Sequence, residues 1–429
     1  MLKKAQASVL STSIVFFAVS TGWTQQTSAG PVPKPPTLCA NNVCPSSPPV
    51  SATPPPTSTP PPPPSPSPSG AAVKWHPGAY AWVGGIPYAS HLSDLVNGIG
   101  SICSNTRITG VQVVLLWGVL EGATPGDYSA GFAAVDSILA KARSCNKRVM
   151  VQLAERIFGS ISSDPTASGW LSAAYPAYIL TSAYGGCCGA RDPSGKELQF
   201  GGVVTAVANG TDAFNGEAAI ARLWDPAVMD RLIALSNAYA ARYDGDPYFE
   251  MLSIGESAVP AWPGFSPTSL WTQVKRFYTQ MANAWPHTMG RMNLNYTDTD
   301  ASMKDLIEVC LSLKNCVVGG PDPELPLPNI TRSITANEIF RGAACSGCIP
   351  RDYRGVLAWV GEQQYLGFED NWHQDPSALA GYQNNTMRNS FMIWEALGPR
   401  WPEALAQINA DNSVAIVSCP KNFAGCNTN

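Results

Sequence analysis

Eight short apolar runs, separated by stretches with helical spacing, constrain what this chain can fold into more than any other feature. The runs are Ala79–Val83, Gly110–Trp117, Arg148–Leu153, Phe249–Ile254, Gly290–Asn295, Cys316–Gly320, Val356–Val360 and Ser390–Trp394. Near-continuous apolar runs mark parallel strands covered on both faces. Between them, Ala130–Ser144 carries Phe132, Val135, Ile138 and Leu139 at helix spacing. Pro226–Tyr243 does the same, with Asp225 placed to cap it and Pro226 at its first position. Pro267–Ala284 and Ala301–Leu313 add two more helical units. Alternating strand and helix signals predict a parallel sheet. Eight of them predict an α/β fold, the (β/α)8 TIM barrel. The Gly- and Ser-rich stretch 159–215 reads as an elaborated loop after the third strand, walling one side of a cleft.

The barrel accounts for residues 71–429 of the 429. Residues 1–29 read as a signal peptide: Lys3 and Lys4, then an apolar stretch around Ile14–Val19, then small residues at Thr27–Ala29. That stretch is short for a bilayer span, and no other segment is a candidate. Residues 30–70 are dominated by Pro, Ser and Thr, which cannot pack a core and predict an extended, semi-rigid linker. A secreted or cell-envelope location follows. It gives the 12 cysteines a reason, since structural disulfides belong to exported proteins. Cys39 and Cys44, Cys310 and Cys316, Cys345 and Cys348, and Cys419 and Cys426 are close in sequence. Cys103 and Cys145 flank a strand–helix unit, and Cys187 and Cys188 are adjacent. Cys345 and Cys348 have the spacing of half a zinc site, but no second pair or nearby His completes it.

Other chemistries find little footing. Charged residues make up 14% and the net charge is −4, without the clustered Lys and Arg that nucleic acid requires. There is no phosphate loop, no dinucleotide fingerprint and no Gly-x-Ser-x-Gly elbow. The four His are scattered, and no metal or cofactor is expected. The 13 Trp and 14 Tyr suit the apolar faces of sugar rings as well as a core.

Two runs end in the same way: Phe249–Ile254 leads into Gly255 and Glu256, and Val356–Val360 into Gly361 and Glu362. A carboxylate at the C-terminal end of a barrel strand stands where barrel enzymes keep their chemistry. Two of them suggest the carboxylate pair that cleaves glycosidic bonds.

The segments around these positions resemble clan A glycoside hydrolases. Trp117–Glu121, Pro125–Tyr128 and Phe132–Asp136 look like that clan's second strand end and following helix. Trp224–Leu232 and Ala241–Pro247 are similar to its approach to strand four, and Trp394 to the Trp that ends strand eight. The resemblance covers roughly residues 79 to 410. It implies a retaining mechanism with Glu256 as acid/base and Glu362 as nucleophile. The pattern departs at Gly255, where the clan usually has an Asn for the sugar 2-hydroxyl: either another side chain such as Asn293 or Asn295 does that work, or the site takes a different substrate, or it is inactive.

Further site candidates are Trp82, Trp117, Glu121, Asn295, Tyr296 and Trp394 for substrate binding. Glu121 reads equally as a structural carboxylate. Tyr296 reads as core or as a group orienting a carboxylate. Glu155 and Arg156 read as an internal ion pair at the cleft, with Arg156 or Tyr296 as the group that keeps Glu362 ionised. Asp322 reads first as a turn residue, Glu395 as a helix-start charge, Trp359 as core, and Trp372 as a sugar platform. The expected partner is a polysaccharide or oligosaccharide substrate. The rival expectation is a non-catalytic polysaccharide-binding or envelope protein on the same scaffold.

Overall fold

The computed structural model describes residues 72–86, 91–158, 174–185, 199–205, 218–257, 265–295, 297–320, 336–363, 375–398, 400–411 and 413–428. The signal peptide, the linker, Cys39, Cys44, Cys187, Cys188, Tyr296, Asp322 and Trp372 lie outside these residues.

Eight parallel strands close into a barrel: β1 (Gly78–Ile86), β2 (Ile108–Leu116), β3 (Arg148–Ala154), β4 (Phe249–Ser253), β5 (Met289–Asn293), β6 (Cys316–Gly320), β7 (Trp359–Gln363) and β8 (Phe391–Glu395). Each pairs with its sequence neighbours, and β8 closes on β1 through Phe391 opposite Gly78. A helix follows each strand: α1 (Leu92–Ser101), α2 (Ser129–Ser144), α3 (Pro226–Tyr243), α4 (Pro267–Ala284), α5 (Asp300–Ser312), the short α6 (Ala336–Phe340), α7 (Pro376–Tyr382) and α8 (Trp401–Ala410). The fold is therefore the (β/α)8 barrel that the alternating runs predict.

Local chemistry sets where the helices begin. Asp225, Ser266, Thr299 and Asp375 each accept a backbone N–H of the first turn of α3, α4, α5 and α7. Pro follows the cap in α3, α4 and α7, where its missing N–H costs nothing. These caps stop the mouth loops at fixed points and so fix how much chain surrounds the cleft.

Two packed layers divide the apolar residues. Val111, Val113, Leu252, Met292, Trp359, Met392 and Trp394 belong to the larger core between barrel and helices. Tyr80, Met150, Met251, Met289, Val317, Ala358, Val360, Phe391 and Ile393 belong to the smaller one inside the barrel. Strand alternation sorts them, since successive side chains face opposite sides. Trp75 plugs the floor, edge-on to Phe391 at 5.1 Å and Phe423 at 5.7 Å. It is held there by pairing of Val73–Lys74 with Cys426–Asn427.

Two expectations are corrected. Strand seven runs from Trp359 to Gln363, three residues later than Val356–Val360. Gly355 adopts φ +75° and the turn at Tyr353 takes the N–H groups of Val356 and Leu357, so pairing starts late. Glu362 thus lies within the strand, in phase with the inward-facing Ala358 and Val360. The stretch after β3 is also not purely loop. It contributes a small antiparallel sheet of Arg156–Phe158, Ala218–Ala221, Val203–Thr205 and Gln199–Phe200.

Cys103–Cys145, Cys310–Cys316, Cys345–Cys348 and Cys419–Cys426 form disulfides. Among the described residues no helix is long and apolar enough to cross a membrane, and no cluster of His, Cys, Asp and Glu could hold a metal ion.

Candidate active site

Above the apolar floor the lumen turns polar. Gln112 on β2, Gln152 on β3, Ser253 on β4, Arg291 on β5 and Glu362 on β7 meet there. Glu362 is fully buried. The Arg291 guanidinium, 1% exposed, lies 3.0 Å from its Oε2, and Gln112 donates to its Oε1 at 2.6 Å. Arg291 also donates to Gln112 Oε1 at 3.2 Å, to Gln152 Oε1 at 3.1 Å and to Ser253 Oγ at 3.4 Å. A buried charge persists only when paired and hydrogen-bonded. This network supplies both conditions from four strands.

Arg291 reaches β7 from β5 by passing Gly319 on β6. A Cβ at Gly319 would come within 3.2 Å of Arg291 Cδ and 2.6 Å of Val360 O. Gly319, which the sequence shows only as part of a strand end, leaves room for the Arg291 side chain.

Glu256 sits three residues beyond β4, half-buried. Asn295 Nδ2 donates to its Oε2 at 2.5 Å. Asn295 is fixed in turn by Ser257: its backbone N–H donates to Ser257 Oγ at 3.0 Å, and the hydroxyl donates back to Asn295 Oδ1 at 3.2 Å. Strand β5 and the residues after it therefore serve both glutamates, Arg291 holding Glu362 and Asn295 holding Glu256.

Gly255 has no room for a side chain. Its N–H donates to Glu155 Oε2 at 2.8 Å, and a Cβ here would lie 2.6 Å from that oxygen and 2.7 Å from Arg156 Nε. Glu155 and Arg156 form the buried ion pair that their adjacency suggests, at 2.7 Å. Arg156 was also read as the partner that keeps Glu362 ionised. The ion pair found at Glu362 is instead with Arg291.

Asn293 is 3% exposed, and neither amide atom finds a hydrogen-bond partner among the described residues. It shares the inward phase of Met289 and Arg291 on β5. Trp82 shares the inner layer with Tyr80 and is partly exposed; its indole N–H has no partner among the described residues. It pairs in register with Glu395, which ends β8 rather than starting a helix. Both are placed to meet a ligand entering the mouth.

Three expected substrate contacts lie elsewhere. Trp394 is 1% exposed and packs in the layer between barrel and helices, because it is out of phase with the inward Phe391 and Ile393. Trp117 is fully buried, in a helical turn that leaves β2, and its indole N–H donates to Glu121 at 2.9 Å. Glu121, 1% exposed, also accepts from the Gly126 N–H at 2.8 Å and pairs with Arg231 of α3 at 2.5 Å. That cluster ties α3 to the end of β2 and leaves neither residue a face for sugar. Gln112, Gln152 and Arg291 were missed as site residues. Their signal is present: Gln112 and Gln152 interrupt apolar stretches, Arg291 alternates with Asn293 and Asn295 along β5 and its extension, and buried polar groups need a reason.

No protein-family model matches the chain, and no curated protein does. Solved structures match at low similarity. One is endo-glycoceramidase II from Rhodococcus sp. in a cellobiose-like isofagomine complex, at 12% identity, covering 79% of this chain and 73% of that one, with TM-score 0.40. Another is an exo-beta-1,4-mannosidase from Opitutaceae bacterium strain TAV5, at 11% identity, covering 52% and 34%, with TM-score 0.33. A third is a GH5_18 protein from Streptomyces cattleya in complex with GlcNAc, at 12%, covering 58% and 51%, with TM-score 0.32. The chain spans about a third of the mannosidase and about half of the Streptomyces protein.

Proposed function

We propose that this protein is a secreted retaining glycoside hydrolase acting on a polysaccharide or oligosaccharide. One observation carries the reading: residues of β5 and its extension contact both carboxylates, Arg291 pairing with the buried Glu362 and Asn295 donating to the half-buried Glu256. A nucleophile must stay ionised, and an acid must be able to carry a proton. Export is supported by the N-terminal sequence and by four disulfides among the described residues.

In this reading the Glu362 carboxylate attacks the anomeric carbon as the bond to the leaving oxygen breaks, and Glu256 gives that oxygen its proton. Water then attacks the glycosyl ester, delivering its proton to Glu256 and releasing Glu362. Trp82 offers an aromatic face at the mouth. Asn293 and Glu395 offer polar groups to ring hydroxyls, and Tyr296 is kept as a candidate contact.

The test is hydrolysis of a panel of β- and α-linked glycans, with the anomeric form of the first product read by NMR. Retention, and loss of turnover in both Glu256→Gln and Glu362→Gln, is the expected result. Inversion removes Glu362 as nucleophile. Binding without cleavage by wild-type protein favours the non-catalytic polysaccharide-binding reading.

A further inference from the structure

Glu155 has no part in the bond-breaking steps, yet it is fully buried and placed one residue from Glu256. Its Oε1 accepts from Arg156 Nε at 2.9 Å and Nη2 at 2.7 Å, and its Oε2 accepts from the Gly255 N–H. The pair also occupies the volume that a side chain at 255 would need. A carboxylate–guanidinium pair is costly to bury and is weak evidence for stability, so its contacts matter more than its presence. Beside it lies a small cavity whose lining includes Arg156, Gly255, Glu256, Ser257, Tyr278 and Asn293. The ion pair, the peptide it grips and the Glu256 side chain thus form one connected unit at the end of β4.

We propose that Glu155, oriented by Arg156, is a positioning residue for Glu256. By accepting the Gly255 N–H it fixes the peptide plane from which Glu256 projects, while Asn295 fixes the carboxyl end. Glycine at 255 is the sequence consequence: the space is given to the positioning carboxylate instead of a side chain that touches substrate. This inference rests on the glycosidase reading, since it assigns a role relative to its acid/base.

The experiment compares two charge-free pairs, Glu155→Gln/Arg156→Gln and Glu155→Met/Arg156→Gln. Removing both charges together avoids leaving one buried alone. The first keeps an acceptor for the Gly255 N–H, and the second does not. Expected is some loss of kcat in the Gln/Gln pair, and a kcat for the Met/Gln pair about 10- to 100-fold below that of the Gln/Gln pair, with KM the same in the two. Equal kcat in the two pairs, or a loss carried by KM, overturns the proposal. Gly255→Ala gives an independent reading if the Met/Gln pair does not fold. Its Cβ displaces Glu155, and kcat should fall with KM retained; an unaltered kcat overturns the proposal. Failure of the glycosidase reading is separate: it appears as wild-type protein that cleaves no glycan, or as full activity in Glu256→Gln.

Discussion

The two glutamates of the mouth live in opposite surroundings. Glu362 is fully buried inside β7, with a guanidinium at 3.0 Å and an amide donor at 2.6 Å. Glu256 is half-buried beyond the end of β4, with Asn295 donating to its carboxyl and the preceding peptide gripped from β3. The first environment binds a charge and would be damaged by its loss. The second holds the carboxyl in position while leaving it partly exposed. The contrast is what the proposed division of work between two identical side chains needs: a strand interior supplies charge partners from neighbouring strands, while the residue past the strand end is partly exposed.

The largest expected effect tests the buried side. Glu362→Gln should cut turnover by at least about 10⁴-fold. It should also cost about 3–5 kcal/mol in chemical denaturation, because Arg291 stays buried without its partner. An unchanged denaturation midpoint would mean that the cation is not held by Glu362. Glu256→Gln should lose about 10²–10⁴-fold on natural glycans, the worth of general acid catalysis, and only about 1 kcal/mol of stability. On an aryl glycoside with an acidic leaving group its first step should be nearly normal, since that oxygen needs no proton. If the two variants shared both profiles, the distinction between the sites would collapse. Arg291→Lys keeps the charge but loses the planar fork that spans Glu362, Gln112 and Gln152. A loss of about 10-fold or more in kcat is expected, with less destabilisation than Glu362→Gln causes.

The same contrast explains what the sequence could reveal. The eight strands were legible because burial on both faces writes long apolar runs, and Glu256 and Glu362 stood out by ending two of them. What was hidden depends on phase. Trp394 and Glu395 are adjacent, and one residue of register decides which faces the lumen. The late start of β7 came from a turn at Tyr353–Leu357 that an apolar run conceals. Trp117 and Trp82 look alike in sequence, but one is sealed by Glu121 and the other remains open at the mouth. Arg291 as the partner of Glu362 was out of reach, because a 71-residue separation is closed only by the barrel.

Phase therefore makes a paired prediction. Trp82→Ala should raise KM by about tenfold while leaving stability nearly unchanged, as loss of a base for a sugar ring would. Trp117→Ala should leave KM alone and cost about 3–5 kcal/mol, as removal of a buried aromatic does. Exchange of these outcomes would reverse the assignment of the two indoles.

The smallest effect probes the weaker hold. Asn295→Ala removes the 2.5 Å bond to Glu256 and the side-chain bond from Ser257, keeps the backbone bond to Ser257, and removes no charge. A loss of about tenfold in kcat is expected, equivalent to about 1.4 kcal/mol. The origin of that loss is separable by a double-mutant cycle measured on an activated aryl glycoside. If Asn295 acts only by holding Glu256, its removal should cost much less once position 256 is Ala, since nothing remains to be held. If the cost is the same in both backgrounds, Asn295 acts on the substrate directly.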